Sequence, residues 1–214
     1  MFRIYIKTVF ASIILALLVT LLTSCANTTF KKPSFTSKTE KSNDKAAGKI
    51  IAQPKFRISK KTADAYSNAL KHMSTKNYDT AILEMQKVAE MDQRISGPWV
   101  NIGMAYKELD DMPKAKAAFQ KALIINAKNP YALNQLAILQ REEGKFELAE
   151  KLYKQALSAY PDYQNAHLNL AILCDAYLRK IACAQEHYQE YLNLTGGQDK
   201  QVSAWMSQLE KQGS

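Results

Sequence analysis

Beyond residue 60 the apolar positions recur at spacings of three and four, as on a helix with one buried face. The same set then returns 34 residues later: Trp99, Ile102, Gly103 and Tyr106 precede Ala115, Phe119 and Ala122, and Leu133, Leu136, Ala137 and Gln140 precede Ala149, Tyr153, Ala156 and Pro161. Polar stretches, Lys107–Pro113 and Arg141–Lys145, separate the two apolar stripes of each copy. Each copy therefore predicts an antiparallel helical hairpin. Small residues (Gly103, Ala115, Ala122; Ala137, Ala149, Ala156) stand where paired helices must come close, and large ones (Trp99, Phe119, Leu133, Tyr153) fill the gap to the next hairpin.

The period extends both ways. Ala65, Ala69, Ala81, Met85 and Val88 mark a weaker copy over 62–95, followed by 96–129 and 130–163. His167, Leu170 and Ala171 open a fourth over 164–198, in which the small residue slips by one place to Ala184, ahead of Tyr188 and Tyr191. The slip predicts one extra residue between its helices, near Tyr177–Ile181. Thr195-Gly196-Gly197 should stop the last hairpin. Val202, Trp205, Met206 and Leu209 then share one face of a final helix within 199–214, expected to cap the open end. Four copies clear the roughly three that a stable stack needs.

This pattern resembles the tetratricopeptide repeat (TPR). The resemblance implies an all-α, right-handed α-solenoid of about four hairpins over 61–198, whose first helices line a concave side where such proteins commonly bind peptides. Projected on this register, that side carries Ala63, Tyr66, Leu70 and Met73; Gly97, Val100, Met104 and Lys107; Tyr131, Asn134, Ile138 and Arg141; and Asn165, Leu168, Ile172 and Asp175. It reads as mostly apolar, with polar groups at the far helix ends. The family's clamp for a C-terminal carboxylate uses Lys and Asn, whereas the matching positions hold Tyr66, Leu70, Val100 and Met104, and only Asn134 is similar to it. An amphipathic helix or an extended hydrophobic segment of a protein partner suits such a groove better.

The first residues do not share the repeat pattern. Arg3 and Lys7 precede an apolar run over Thr8–Leu22, shorter than the ~20 residues of a membrane-spanning helix and similar to a secretory signal. Leu22-Thr23-Ser24-Cys25 resembles a bacterial lipoprotein signal, which implies removal of 1–24 and lipidation of Cys25. An uncleaved signal anchor is the alternative. Two or more acyl chains, at about 0.8 kcal/mol per buried methylene, would hold the protein stably. By the family's sorting rule, Ala26 after the cysteine implies the outer membrane, with the domain facing the periplasm.

Charge then changes the picture. The formal net charge is +9, yet residues 61–214 carry eighteen basic and eighteen acidic side chains. From Ala26 to Lys60, Lys60 included, stand nine basic residues and two acidic ones, among Ser, Thr, Asn and Pro, which predicts a disordered basic tether. Excess charge off the folded domain, on an exported chain, argues against nucleic acid. The tether suits anionic headgroups, at about 1 kcal/mol per basic residue, or simply solubility.

Cys174 and Cys183 form an even pair for an oxidising compartment, near the end of the first and the start of the second helix of the fourth hairpin. They are expected to form a disulfide, with two buried thiols as the alternative. His72, His167 and His187 fall on packing positions. With no nucleophile motif, phosphate-binding loop or paired-ligand spacing, no enzyme activity, cofactor, metal or small-molecule substrate is expected. The stretches 169–178, 186–192 and 199–205 resemble small TPR lipoproteins of proteobacterial envelopes, some of which accompany TonB-like systems. That resemblance implies a membrane-anchored adaptor or scaffold. The alternatives are a pilotin-like lipoprotein assisting secretin assembly in a type IV pilus system, and a structural spacer without a peptide groove.

Overall fold

The computed structural model describes residues 57–213, so the expected signal, Cys25 and the tether as far as Phe56 lie outside the described residues. Among the described residues there are nine α-helices: α1 (Lys60–Ser74), α2 (Tyr78–Met91), α3 (Gly97–Glu108), α4 (Met112–Ile125), α5 (Pro130–Glu142), α6 (Phe146–Ala159), α7 (Gln164–Ile172), α8 (Ile181–Thr195) and α9 (Lys200–Gly213). They pair as four hairpins, α1/α2 to α7/α8, each packed on the next, and α9 closes the stack.

Local chemistry sets the helix starts. Side-chain oxygens of Ser59, Asp111 and Asn129 accept the amide three residues on, at 3.0, 3.1 and 3.0 Å. Each satisfies a donor that the first turn leaves unpaired. Asn129 also donates to Ser96 Oγ at 2.9 Å, tying the start of one hairpin to that of the previous one.

Each hairpin turns on one left-handed residue. Lys76, Asp110, Gly144 and Arg179 have φ of 59°, 60°, 75° and 55°. In the first three, the next amide reaches back five residues: Asn77 to His72 O, Asp111 to Tyr106 O and Lys145 to Gln140 O, at 2.8–2.9 Å. This is the bond that ends a helix in a left-handed cap. In the fourth, Lys180 reaches back six, to Cys174 O at 2.8 Å.

The extra residue therefore sits inside the first helix and not in the connection. Leu173–Leu178 is π-helical and continues α7. A helix can absorb one residue by widening to i→i+5 bonds. A turn whose left-handed residue and following cap are both fixed cannot. Across this segment the structure joins Cys174 and Cys183 in a disulfide, with Cα atoms 5.9 Å apart.

Small against large governs the hairpin cores. Ala69, Ala137 and Ala171 are fully buried at the position that Gly103 takes in the second hairpin. There even a methyl is too much: a Cβ on Gly103 would lie 2.4 Å from the Phe119 ring. The ends are polar. Asp64, Asn68 and Lys71 are exposed on α1 where α3 buries Pro98, Ile102 and Ala105 against its predecessor. At the other end α9 buries Val202 and Leu209, and Asp199 accepts the Val202 amide at 3.1 Å and the Tyr191 hydroxyl at 3.1 Å.

Two stability changes follow from this packing. Gly103→Ala, which overpacks the site, is expected to cost about 1–3 kcal/mol in urea unfolding; an unchanged midpoint would show that Phe119 has room to move. Cys183→Ser opens a short loop and should cost about 2–3 kcal/mol, measured the same way against the oxidised wild type.

Candidate functional site

Direct side-chain hydrogen bonds join consecutive first helices, so α1, α3, α5 and α7 lie side by side on one face. Asn101 Nδ2 donates to Tyr66 Oη at 2.6 Å, Lys107 Nζ to Gln135 Oε1 at 3.1 Å, and Asn169 Nδ2 to Asn134 Oδ1 at 3.1 Å. Three rows cross this face at the 34-residue period; the first draws a residue from every hairpin, the other two from the first three.

The first row is polar and aromatic. Ser67, Asn101, Gln135 and Asn169 recur at the 34-residue period. Beside them Tyr66 is half-buried, and its hydroxyl would lie 3.0 Å from a Cβ on Gly97, so a side chain there would push on the ring. Burial raises the Tyr66 pKa, with the Asn101 bond opposing and nearby Tyr131 adding to it. Tyr131 meets Tyr163 edge-on at 5.1 Å, and Tyr163 stacks on Tyr160 at 5.7 Å. Asn134 Nδ2 reaches the Tyr163 hydroxyl at 3.4 Å.

The second row is apolar: Leu70 and Met104, each 39% exposed, then half-buried Ile138. The third begins apolar and becomes charged: half-buried Met73, then half-buried Lys107 and Arg141. Burial lowers the Lys107 pKa, opposed by nearby Glu142 and Glu108. Among the described residues neither Lys107 nor Arg141 has a carboxylate within ion-pair distance.

The face thus differs from a mostly apolar groove. Val100, Asn134 and Ile172 are at most 7% exposed: Val100 packs against Ala132 and Leu136 of α5, Ile172 joins the core of the fourth hairpin, and Tyr163 and Asn169 engage Asn134. Leu168 is half-buried against that same core. A helical projection counts one helix at a time and misses such neighbours. Asp175 also leaves the row. The widened helix brings it to the Tyr188 hydroxyl, which donates to it at 3.3 Å, and burial raises its pKa. Conversely, Asn101, Gln135 and Asn169 were not among the expected groove residues, though their common period was there to be read.

A second cluster of titratable groups joins α7 to α8. His167 Nδ1 and His187 Nδ1 lie 3.1 Å apart, and His167 Nε2 lies 2.8 Å from the Pro161 carbonyl. The ring contact links α7 to α8, and the carbonyl holds the His167 ring in place. Burial lowers the His187 pKa below 6.5; Glu186 and Glu190 oppose this, and His167 and Lys154 add to it. No group of three His, Cys, Asp or Glu side chains placed to hold a metal occurs among the described residues.

Comparison with known proteins agrees with this architecture. Residues 94–162 match the tetratricopeptide repeat family. Tetratricopeptide repeat protein 8 of Homo sapiens is 31% identical over 101 residues, which cover 47% of this chain and 18% of that protein. Protein O-mannosyl-transferase TMTC3 of Mus musculus is 32% identical over 156 residues, 65% of this chain and 17% of that one. The chain thus spans less than a fifth of either relative. Among solved structures, PilF of Pseudomonas aeruginosa superposes with a TM-score of 0.62 at 20% identity, covering 71% of this chain and 68% of PilF. The fold is a TPR-type α-solenoid, a scaffold class consistent with protein–protein interaction.

Burial of His187 makes stability depend on pH with a definite sign. Because the folded-state pKa of His187 is depressed, the unfolded chain binds its proton first as pH falls below about 6.5. The stabilisation is complete above that value and is lost on acidification. The urea midpoint should fall between pH 7 and pH 5, and fall less in His187→Gln. Equal slopes in both proteins would remove His187 as the cause.

Proposed function

We propose that this chain is a lipid-anchored periplasmic adaptor that holds a segment of a partner protein across the face formed by α1, α3, α5 and α7. The observation that carries the reading is the row of Leu70, Met104 and Ile138, left accessible beside a row of side-chain amides, Asn101, Gln135 and Asn169, on three adjacent helices. A solenoid whose ends are polar or capped has no packing use for that row. A continuous accessible surface of this kind is how repeat proteins engage extended partners.

The anchor and its place rest on sequence: the apolar run, Leu22-Thr23-Ser24-Cys25 and Ala26 support lipidation of Cys25 and the outer membrane. A free tether of some 35 residues would have an average reach of roughly 30 Å. The repeats could then meet a component standing off the bilayer. Resemblance of the last third to envelope TPR lipoproteins supports service to a TonB-like machine, without naming the component held.

Crosslinking pull-down from intact envelopes tests this, comparing wild type with Met104→Lys plus Ile138→Lys after both are shown to fold. Recovery of a motor or transducer component from wild type, at least tenfold reduced in the variant, is the expected outcome. A secretin recovered in its place would make the protein a pilotin. The same set of proteins recovered with both forms would remove this face as the binding surface and favour the spacer.

A further inference from the structure

We propose that the partner segment received by this face carries an acidic side chain beside large apolar ones, with the apolar groups seated on Leu70, Met104 and Ile138 and the carboxylate between Lys107 and Arg141. The proposal rests on the reading of this face as a partner-binding surface and adds the chemistry of its occupant.

Two cations stand together without an acid of their own. Lys107 of α3 and Arg141 of α5 hold the same place in consecutive hairpins, both half-buried, and the charge of Arg141 is felt at Lys107. The acids around them are engaged elsewhere. Glu108 accepts from the Tyr78 hydroxyl at 3.1 Å, Asp111 pairs with Lys114 at 2.7 Å, and Glu143 pairs with Lys116 and Lys145, each at 2.6 Å. Glu142 follows Arg141 directly on α5, and consecutive residues of a helix do not face each other; it is exposed and outside ion-pair distance. The 34-residue period would set Asp175 next to Arg141, but the π-helical segment turns it to the Tyr188 hydroxyl at 3.3 Å.

Neither cation is used up from within. Lys107 gives one of its three N–H bonds to Gln135 Oε1 at 3.1 Å. Arg141 gives none among the described residues: even the buried Tyr153 hydroxyl, whose pKa burial raises and the charge of Arg141 lowers, makes no bond to it. Charge taken partly out of water without a counter-charge is costly. A carboxylate from outside would offset that cost at both groups.

The place of the cations fixes the kind of acid. They stand one helical turn beyond Met104 and Ile138 on the same helices, so a segment lying on the apolar row brings a neighbouring side chain over them. They also belong to the second and third of four hairpins, with Met73 continuing their row on α1. The acid therefore lies within a segment that crosses the face and not at its end, and within a polypeptide that anion is Asp or Glu. Charge matched in this way selects among partners more than it adds affinity.

The test displays random twelve-residue peptides to the purified full chain in two formats, one flanked by carrier sequence on both sides and one ending in a free carboxylate. The flanked format should yield peptides that combine Asp or Glu with Leu, Ile, Met or Phe. The best of them should lose about tenfold in affinity when its acid is replaced by the matching amide, and about tenfold on Lys107→Met or Arg141→Met. Lys107→Glu plus Arg141→Glu, once shown to fold, should turn the selection towards Lys or Arg at that place. Acid-free apolar peptides whose binding is abolished by Met104→Lys would overturn the proposal while leaving the adaptor reading intact. Binders found only with a free carboxylate, or acidic peptides still selected by the doubly substituted protein, would overturn it as well. Binders in neither format would also overturn it, and the adaptor reading would then stand or fall on the envelope pull-down.

Discussion

Everything on the working face depends on how closely two helices of a hairpin approach. That approach is set by a residue of little or no bulk on the first helix facing a large side chain on the second. Gly103 under the Phe119 ring is the tightest instance, and buried Ala69, Ala137 and Ala171 hold the same place elsewhere. Fixing that distance four times fixes the rotation of α1, α3, α5 and α7 about their own axes. Only then do residues 34 apart line up as rows, and only then can Asn101 reach Tyr66 or Lys107 reach Gln135 across hairpins.

The hairpins themselves were plain in the sequence because period and residue size carry the same message at every copy. Their turns were less so: nothing in the residue types at Lys76, Asp110 or Arg179 announces a left-handed backbone, and only Gly144 does. An inserted residue in the fourth copy was legible as a count, whereas its position was not, since a longer loop and a wider helix have the same length. Hydrogen bonding decides for the helix, because the turn geometry admits no spare residue.

The site was harder to read than the fold for a related reason. Weighting positions by hydrophobicity singled out Val100 and Ile172, which the neighbouring elements bury, and passed over Asn101, Gln135 and Asn169, which look like ordinary solvated residues until their period is noticed. A face made by four helices is a property of the stack. Its chemistry emerges from the contacts between copies, which no single helical stripe contains.

The disulfide and the π-helical segment belong to the fourth hairpin and α9 packs on it, so the reinforcement of the stack is lopsided. In a linear array each hairpin leans only on its neighbours, and stability need not be shared evenly along it. The α1/α2 hairpin has one neighbour and no cross-link among the described residues, and the chain enters the stack there. A load applied through the N-terminus would act on the molecule as on a zip fastened at its far end: α1 and α2 would peel first, leaving the later rows in place. Tyr66 and Leu70 would be withdrawn from the shared face while Gln135 and Arg141 kept their places in it.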